Sequence, residues 1–188
     1  MDTTTSKKPK DRIIEATSKL FYGHDANTIG VDMVCDIANV SKRTLYKYFP
    51  TKEFLVSAAL SARAQEWSQE FISQNLDDPV ERITYIFKML ERNAGSKDFH
   101  GCPMMNTSIE LRDSQALGIA VAKDFKSQLL DYFKQQAVLL KVSDSDVLAE
   151  QLLLLFDGCN AWIVMRHEFP MATYTMLSML MRSESVDD

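Results

Sequence analysis

The chain has 188 residues, 46% of them apolar, with 21 Lys and Arg against 26 Asp and Glu for a net charge of −5. That apolar fraction excludes a disordered chain, and the length suffices for one domain or two small ones with a buried core. Only six Gly and five Pro argue against collagen-like, linker-like or turn-rich all-β chains.

From Asp11 to Tyr22 the apolar positions Ile13, Ile14, Leu20 and Phe21, with the methyl of Thr17, recur at helical spacing, and Gly23 is a stop signal. His24 to Gly30 reads as a loop. Asp32 to Asn39 predicts a short helix with Met33, Val34, Ile37 and Ala38 on one side. Asn39-Val40-Ser41 interrupts it, and Ser41 can cap a second short helix through Lys47. Pro50 ends that segment, because the residue before a proline disfavours helical dihedrals. Thr51 then starts a long helix reaching Trp67 and Phe71. Asp78-Pro79-Val80-Glu81 combines a cap, a first-turn proline and an acid three residues after the cap, a strong helix start. Ile83, Ile86, Phe87 and Leu90 form that helix's apolar stripe, and Gly95 its end. Pro103 opens a short helix to Leu111, and a longer one is expected from about Gln115 to Lys141. Ser143-Asp144-Ser145-Asp146 resembles a second capping box leading into Val147–His167. Pro170 breaks that helix, and Met171–Arg182 forms the last. No segment alternates with period two, so the expected class is all-α.

No apolar run approaches the roughly 18 residues of a membrane-spanning helix. Met1 to Lys10 lacks the apolar stretch of a secretion signal. Cys35, Cys102 and Cys159 are odd in number and match no metal or redox spacing. The expectation is a reduced, cytoplasmic chain with no membrane partner. Its charge is uneven: residues 1–60 carry nine Lys and Arg against seven Asp and Glu, and residues 61–188 carry twelve against nineteen. A small nucleic-acid-binding unit on a larger acidic body fits that imbalance. Lys42, Arg43, Lys47 and Lys52 fall in one acid-free stretch, and Lys7, Lys8, Lys10 and Arg12 form a second basic group at an expected mobile end, more a solvated tail than a minor-groove arm.

Two short helices joined by three or four residues form a helix-turn-helix, whose second helix can lie in the major groove. Between residues 31 and 49, Val40 and Leu45 can pack inward while Ser41, Lys42, Arg43 and Thr44 face the groove. Tyr46, Lys47, Tyr48 and Lys52 stand where phosphate oxygens would be met; such contacts fix register, whereas contacts to base edges carry sequence information. The bland readings are core aromatics for the tyrosines and solvated charges for the cations.

These residues point to a family. Arg12-Ile13-Ile14-Glu15-Ala16 with Leu20-Phe21, and Ala38-Asn39-Val40-Ser41-Lys42-Arg43-Thr44-Leu45-Tyr46-Lys47-Tyr48-Phe49-Pro50-Thr51-Lys52-Glu53-Phe54-Leu55, resemble the DNA-binding domain of TetR/AcrR-family repressors over about residues 10–58. Asn39 departs from the usual glycine but also tolerates a left-handed turn. Arg43 stands where glycine is frequent, and Asp25-Ala26 departs from the usual glycine-containing turn. Gly101-Cys102-Pro103-Met104-Met105-Asn106 followed by Glu110 resembles a segment recurring in a subset of the family. The resemblance implies an all-helical homodimer: a three-helix helix-turn-helix domain over 1–55, then a helical effector-binding and dimerisation domain over 56–188. It implies pairing through the last two long helices, about residues 147–182. Independently, Leu148, Leu152, Leu153, Leu154, Leu155 and Phe156 make a helix apolar on more than one face, which asks to be buried on both. A core helix in a monomer is the alternative.

The implied function is a repressor that binds a roughly palindromic operator and leaves it when a small molecule binds. A helix-turn-helix activator or an effector-independent regulator is the alternative, and a helical carrier or enzyme a remote one. Trp67, Phe71, Phe87, Met104, Met105, Phe125 and Trp162, with Asn106 and Glu110 as polar anchors, are the candidate ligand residues, drawn from a wider apolar or amphipathic set that also holds Tyr85, Met89, Tyr132 and Met165, although plain core packing suits any of the apolar ones. No phosphate-cradling glycine loop, two-His metal motif or nucleophile elbow occurs, so no cofactor, metal or catalytic residue is expected. His100, Cys102, Met104 and Met105 fit no metal template.

Overall fold

The computed structural model describes residues 7–21, 28–96, 99–111 and 116–182. Among them it holds nine helices and no strand: α1 (Pro9–Leu20), α2 (Val31–Ala38), α3 (Lys42–Tyr48), α4 (Lys52–Ile72), α5 (Pro79–Ala94), α6 (Pro103–Leu111), α7 (Leu117–Leu139), α8 (Ser145–Arg166) and α9 (Thr173–Arg182). The expected all-α class is what the chain adopts. Tyr22, Gly23, Asp25, Ala26 and Gln115 lie outside the described residues. The helices form two compact units, Met1–Glu66 with Pro103–Lys123 and Trp67–Cys102 with Asp124–Asp188.

In the first unit, α1 starts two residues before the apolar periodicity does, with Pro9 at its first position, where a missing N–H costs nothing. Lys10 therefore sits inside a helix rather than in a basic tail, and Lys7 pairs with Glu15 at 2.8 Å. α2 ends on Asn39 in the left-handed conformation, φ 50° and ψ 58°. Asparagine accepts this turn because its short polar side chain relieves part of the penalty a bulkier residue meets. Arg12 of α1 donates from Nη1 to the Asn39 carbonyl at 3.3 Å, fastening the first helix onto the turn. Ser41 then caps α3, its Oγ accepting from the Thr44 N–H at 3.1 Å. One apolar core gathers Ile13, Leu20 and Phe21 of the α1 segment, Val34, Cys35 and Ala38 of α2, and Leu45 and Phe49 of the α3 segment. Leu55, Val56, Ala59 and Leu60 of α4 complete it. Ser18 of α1 also donates to the Ala59 carbonyl at 3.3 Å.

The same unit contains α6 and the start of α7. Glu53, in the first turn of α4, accepts the Leu117 N–H at 2.9 Å and so caps α7. A Cβ at Gly118 would lie 3.1 Å from Thr107 Cγ2 and 3.2 Å from Leu111 Cδ1, so the close approach of α6 and α7 depends on glycine there.

The second unit follows its local signals. Asp78 caps α5, accepting from the Val80 N–H at 2.9 Å, and Ile83, Ile86, Phe87 and Leu90 are all buried as the stripe predicts. Asp144, not Ser143, caps α8, accepting from the Asp146 and Val147 N–H groups at 3.1 and 3.0 Å. Phe87 stacks on Phe133 at 6.3 Å, and Trp67 meets Phe125 and Phe156 edge-on at 6.4 and 5.8 Å. By length and hydropathy alone α8 could cross a bilayer, although its apolar residues form no unbroken run of that length. It nonetheless carries Glu150 and Asp157, the latter paired with Lys126, and buries Leu148, Leu152, Phe156 and Ile163. These are features of a core helix.

Replacing Asn39 tests the turn. Asn39→Ala should lower stability by about 1 kcal/mol, while Asn39→Gly changes it by a few tenths at most. Urea unfolding followed by circular dichroism separates the two.

Candidate nucleic-acid interface

The geometry of α3 sorts its residues by face. At 100° per residue, Leu45 and Phe49 point the same way, and both are buried, with 1% and 4% of their surface exposed. Arg43 and Lys47 then stand opposite Leu45, with Thr44 and Tyr46 on the shoulders and Lys42 and Tyr48 nearer the base. Ser41, Lys42, Arg43, Tyr46, Lys47 and Tyr48 are exposed, and Thr44 is half-buried. Lys52, which opens α4, is half-buried as well. The tyrosines are thus surface groups rather than core aromatics. Lys47 Nζ rests 5.9 Å from the centre of the Tyr48 ring.

One partner was not legible in the sequence. Lys42 Nζ pairs with Asp32 of α2 at 2.5 Å, and the hydrogen bond and the charge of that carboxylate hold the ammonium above its ordinary pKa. The pair spans the turn, so sequence spacing alone does not announce it. It makes Lys42 and Arg43 unequal: the first has a resident anion, and the second points directly outward. Asp36, Glu53 and Asp32 aside, the exposed face of α3 itself presents only cations, hydroxyls and phenols. Such a surface can hold phosphates through Lys and Arg, and base edges through Arg and Thr.

The nine candidate ligand residues fall into two groups. Met104, Met105, Asn106 and Glu110 lie on α6 in the first unit, Met104 buried and the others half-buried. Trp67, Phe71, Phe87, Phe125 and Trp162 lie in the second. Trp67 and Phe125 are brought together as described, and Phe87 is wholly buried. Trp162 sits on the outside of α8 with the Arg166 guanidinium 4.8 Å from its ring centre. Only Phe71 of these nine lines the cleft of the second unit. That cleft, about 470 Å³, is walled by Ser68, Phe71 and Ile72 of α4, Gln74, Arg82 of α5 and a polar stripe of α7 from Gln128 to Gln136. Tyr132 of the stripe donates to the Phe71 carbonyl at 3.3 Å, and burial holds its hydroxyl above the ordinary phenol pKa. The stripe occupies positions 128, 131, 132, 135 and 136, a helical face that, Tyr132 aside, reads from sequence as solvated surface. Among the described residues no cluster of three or more His, Cys, Asp or Glu side chains could hold a metal ion.

A three-helix head that buries one face of a short, capped second helix and exposes a basic one defines a helix-turn-helix DNA-binding regulator. Residues 13–59 match the model for bacterial regulatory proteins of the tetR family. A TetR-type transcriptional regulator from Streptomyces avermitilis is 34% identical, with 93% of this chain and 96% of that one aligned at a TM-score of 0.80. An HTH-type transcriptional regulator of Mycobacterium tuberculosis is 32% identical over 89 residues, 44% of this chain and 44% of its own length, so this match covers less than half of that relative. FadR of Bacillus subtilis, solved in complex with stearoyl-CoA, shares the fold at a TM-score of 0.71 and 14% identity, with 93% and 98% of the two chains aligned. The chain belongs to the TetR family of transcription regulators.

Releasing Lys42 from its resident anion probes the surface. Asp32→Asn should strengthen binding to duplex DNA of any sequence several-fold at low salt and steepen the loss of affinity as salt rises. Fluorescence anisotropy across a salt series reads both.

Proposed function

We propose that the chain acts as a homodimeric repressor that holds a two-fold operator and lets go of it when a small molecule binds its helical body. The observation that carries this reading is the opposition of Leu45 to Arg43 and Lys47: a helix so anchored presents a fixed basic edge. Ser41, Lys42, Arg43 and Thr44 then meet bases or phosphates, and Tyr46, Lys47, Tyr48 and Lys52 hold the backbone. Two such helices reach successive major grooves when they stand about 34 Å apart, so the operator is roughly palindromic. Functionally the chain divides into a DNA-binding part, 1–55, and an effector and dimerisation part, 56–188, acting in the cytoplasm where operator DNA lies.

Pairing through residues 147–182 is supported by what α8 and α9 leave uncovered. Leu154, Met165 and Met179 are 72%, 71% and 69% exposed, and Met171 between the helices is 96% exposed. Apolar side chains at that density mark a surface meant for a partner, and a two-fold pair is the simplest closed one. Release is supported by the double membership of α4, whose first turns lie in the head's core and whose last turn lines a cleft. That FadR, of the same fold, was solved with stearoyl-CoA supports reading this fold as one that carries a ligand. A ligand shifts the balance only by the difference between its affinities for the bound and released arrangements.

Selection of bound duplexes from a random pool, with sedimentation equilibrium of the free protein, tests the reading. The expected outcome is a two-fold repeated half-site and a dimer. A monomer, or binding without sequence preference, overturns it. Neutralising Lys42, Arg43 and Lys52 together should abolish operator recognition while leaving the helical content unchanged. Leu154→Asp should shift the dimer to monomer and weaken operator binding with it.

A further inference from the structure

We propose that the cleft between the end of α4, Arg82 and the polar stripe of α7 is the effector site, and that its ligand is a small hydroxy- or amino-carboxylic acid whose carboxylate sits on Arg82. The inference rests on the ligand-released reading and adds the place and the chemistry. Arg82 is half-buried, and its two hydrogen bonds go to neutral acceptors: Nε to the Leu76 carbonyl at 2.6 Å and Nη1 to Gln136 Oε1 at 3.5 Å. Among the described residues it makes no ion pair. A guanidinium partly withdrawn from water without an anion is costly, and its remaining N–H groups match the two oxygens of a carboxylate.

A second observation comes from the wall of the same space. Ser68 is only 9% exposed, and its buried Oγ has no hydrogen-bond partner. Buried hydroxyls are nearly always bonded, so an orphan in the wall of a cleft calls for a polar ligand atom. The rest of the wall narrows the class. Gln136 is buried and, with Gln74, Gln128 and Gln135, offers amides that donate and accept. Tyr132 stays a neutral hydroxyl rather than a phenolate. Asp131 adds a carboxylate on the exposed side. It repels a doubly charged phosphate and accepts a hydrogen bond from a ligand hydroxyl or ammonium, which selects a monocarboxylate that carries donors. A cleft of about 470 Å³ admits such a molecule with room for a modest side chain against Phe71 and Ile72.

The test uses the full-length protein. A panel of L-amino acids and 2-hydroxy acids, each beside its carboxamide, is screened by thermal shift, and hits are measured by calorimetry and by release from the selected operator. The expected result is a carboxylic acid that binds about tenfold or more tighter than its carboxamide. Arg82→Gln loses that preference, and Ser68→Ala, which leaves Arg82 and the packing in place, weakens binding several-fold. Asp131→Asn opens the cleft to dicarboxylates. Because Arg82 also holds the Leu76 carbonyl, operator binding by Arg82→Gln without ligand confirms that the variant is folded, and Ser68→Ala provides the answer if it is not. Equal binding of acid and carboxamide, or no binding by any panel member, overturns the proposal. Binding at Arg82 with operator affinity unchanged upholds the site and its chemistry and overturns its effector role. Release by another class of molecule, undiminished in Arg82→Gln, overturns the site while the release reading stands.

Discussion

Sequestration of Leu45 and Phe49 from water governs which face of α3 the protein can present to its surroundings. Both side chains are drawn into a core supplied by the α1, α2 and α4 segments, and their burial leaves α3 one orientation about its own axis. A seven-residue helix has too few internal hydrogen bonds to persist alone, so this packing and the Ser41 cap supply what its length does not. Rotation of α3 by a single residue position would swing Leu45 out of the core onto a shoulder and carry Arg43 and Lys47 off the outermost edge. The basic edge is therefore as well defined as the core beneath it.

Charge works within that frame rather than creating it. The head carries a modest excess of cations, and one of them, Lys42, is already matched by Asp32 across the turn. A pair this exposed contributes little to folding, because water screens it. Its effect is to lower the appetite of the surface for any polyanion, which favours a binder that discriminates by contacts over one that adheres through charge alone.

Much of this was legible before any coordinates, for physical reasons that differ from place to place. The helix-turn-helix shows itself because its signals are local: an αL-tolerant Asn39, a capping Ser41, a buried Leu45 and a stop at Pro50 lie within a dozen residues. Asp78 and Asp144 show their helix starts in the same way. Long-range facts were hidden. Nothing in spacing joins Asp32 to Lys42 or Arg12 to the Asn39 carbonyl, since both depend on how helices cross. Most of the cleft was missed for another reason: around Tyr132, the side chains Gln128, Asp131, Gln135 and Gln136 look like the wet side of an amphipathic helix. Meanwhile Trp67, Phe87 and Phe125 attracted a ligand assignment by size and aromaticity, although the structure packs Trp67 on Phe125 and Phe87 on Phe133. Composition separates polar from apolar; only tertiary structure separates an outer surface from an inner wall.

The bond from Arg12 to the Asn39 carbonyl joins the opening helix to the tightest bend of the head. Proteolytic trimming or a poorly placed affinity tag that unravels the first turns of α1 would thus slacken a bend far along the sequence and loosen the basic edge beyond it. What is done to one end of the chain is in this way felt by a surface some thirty residues further on.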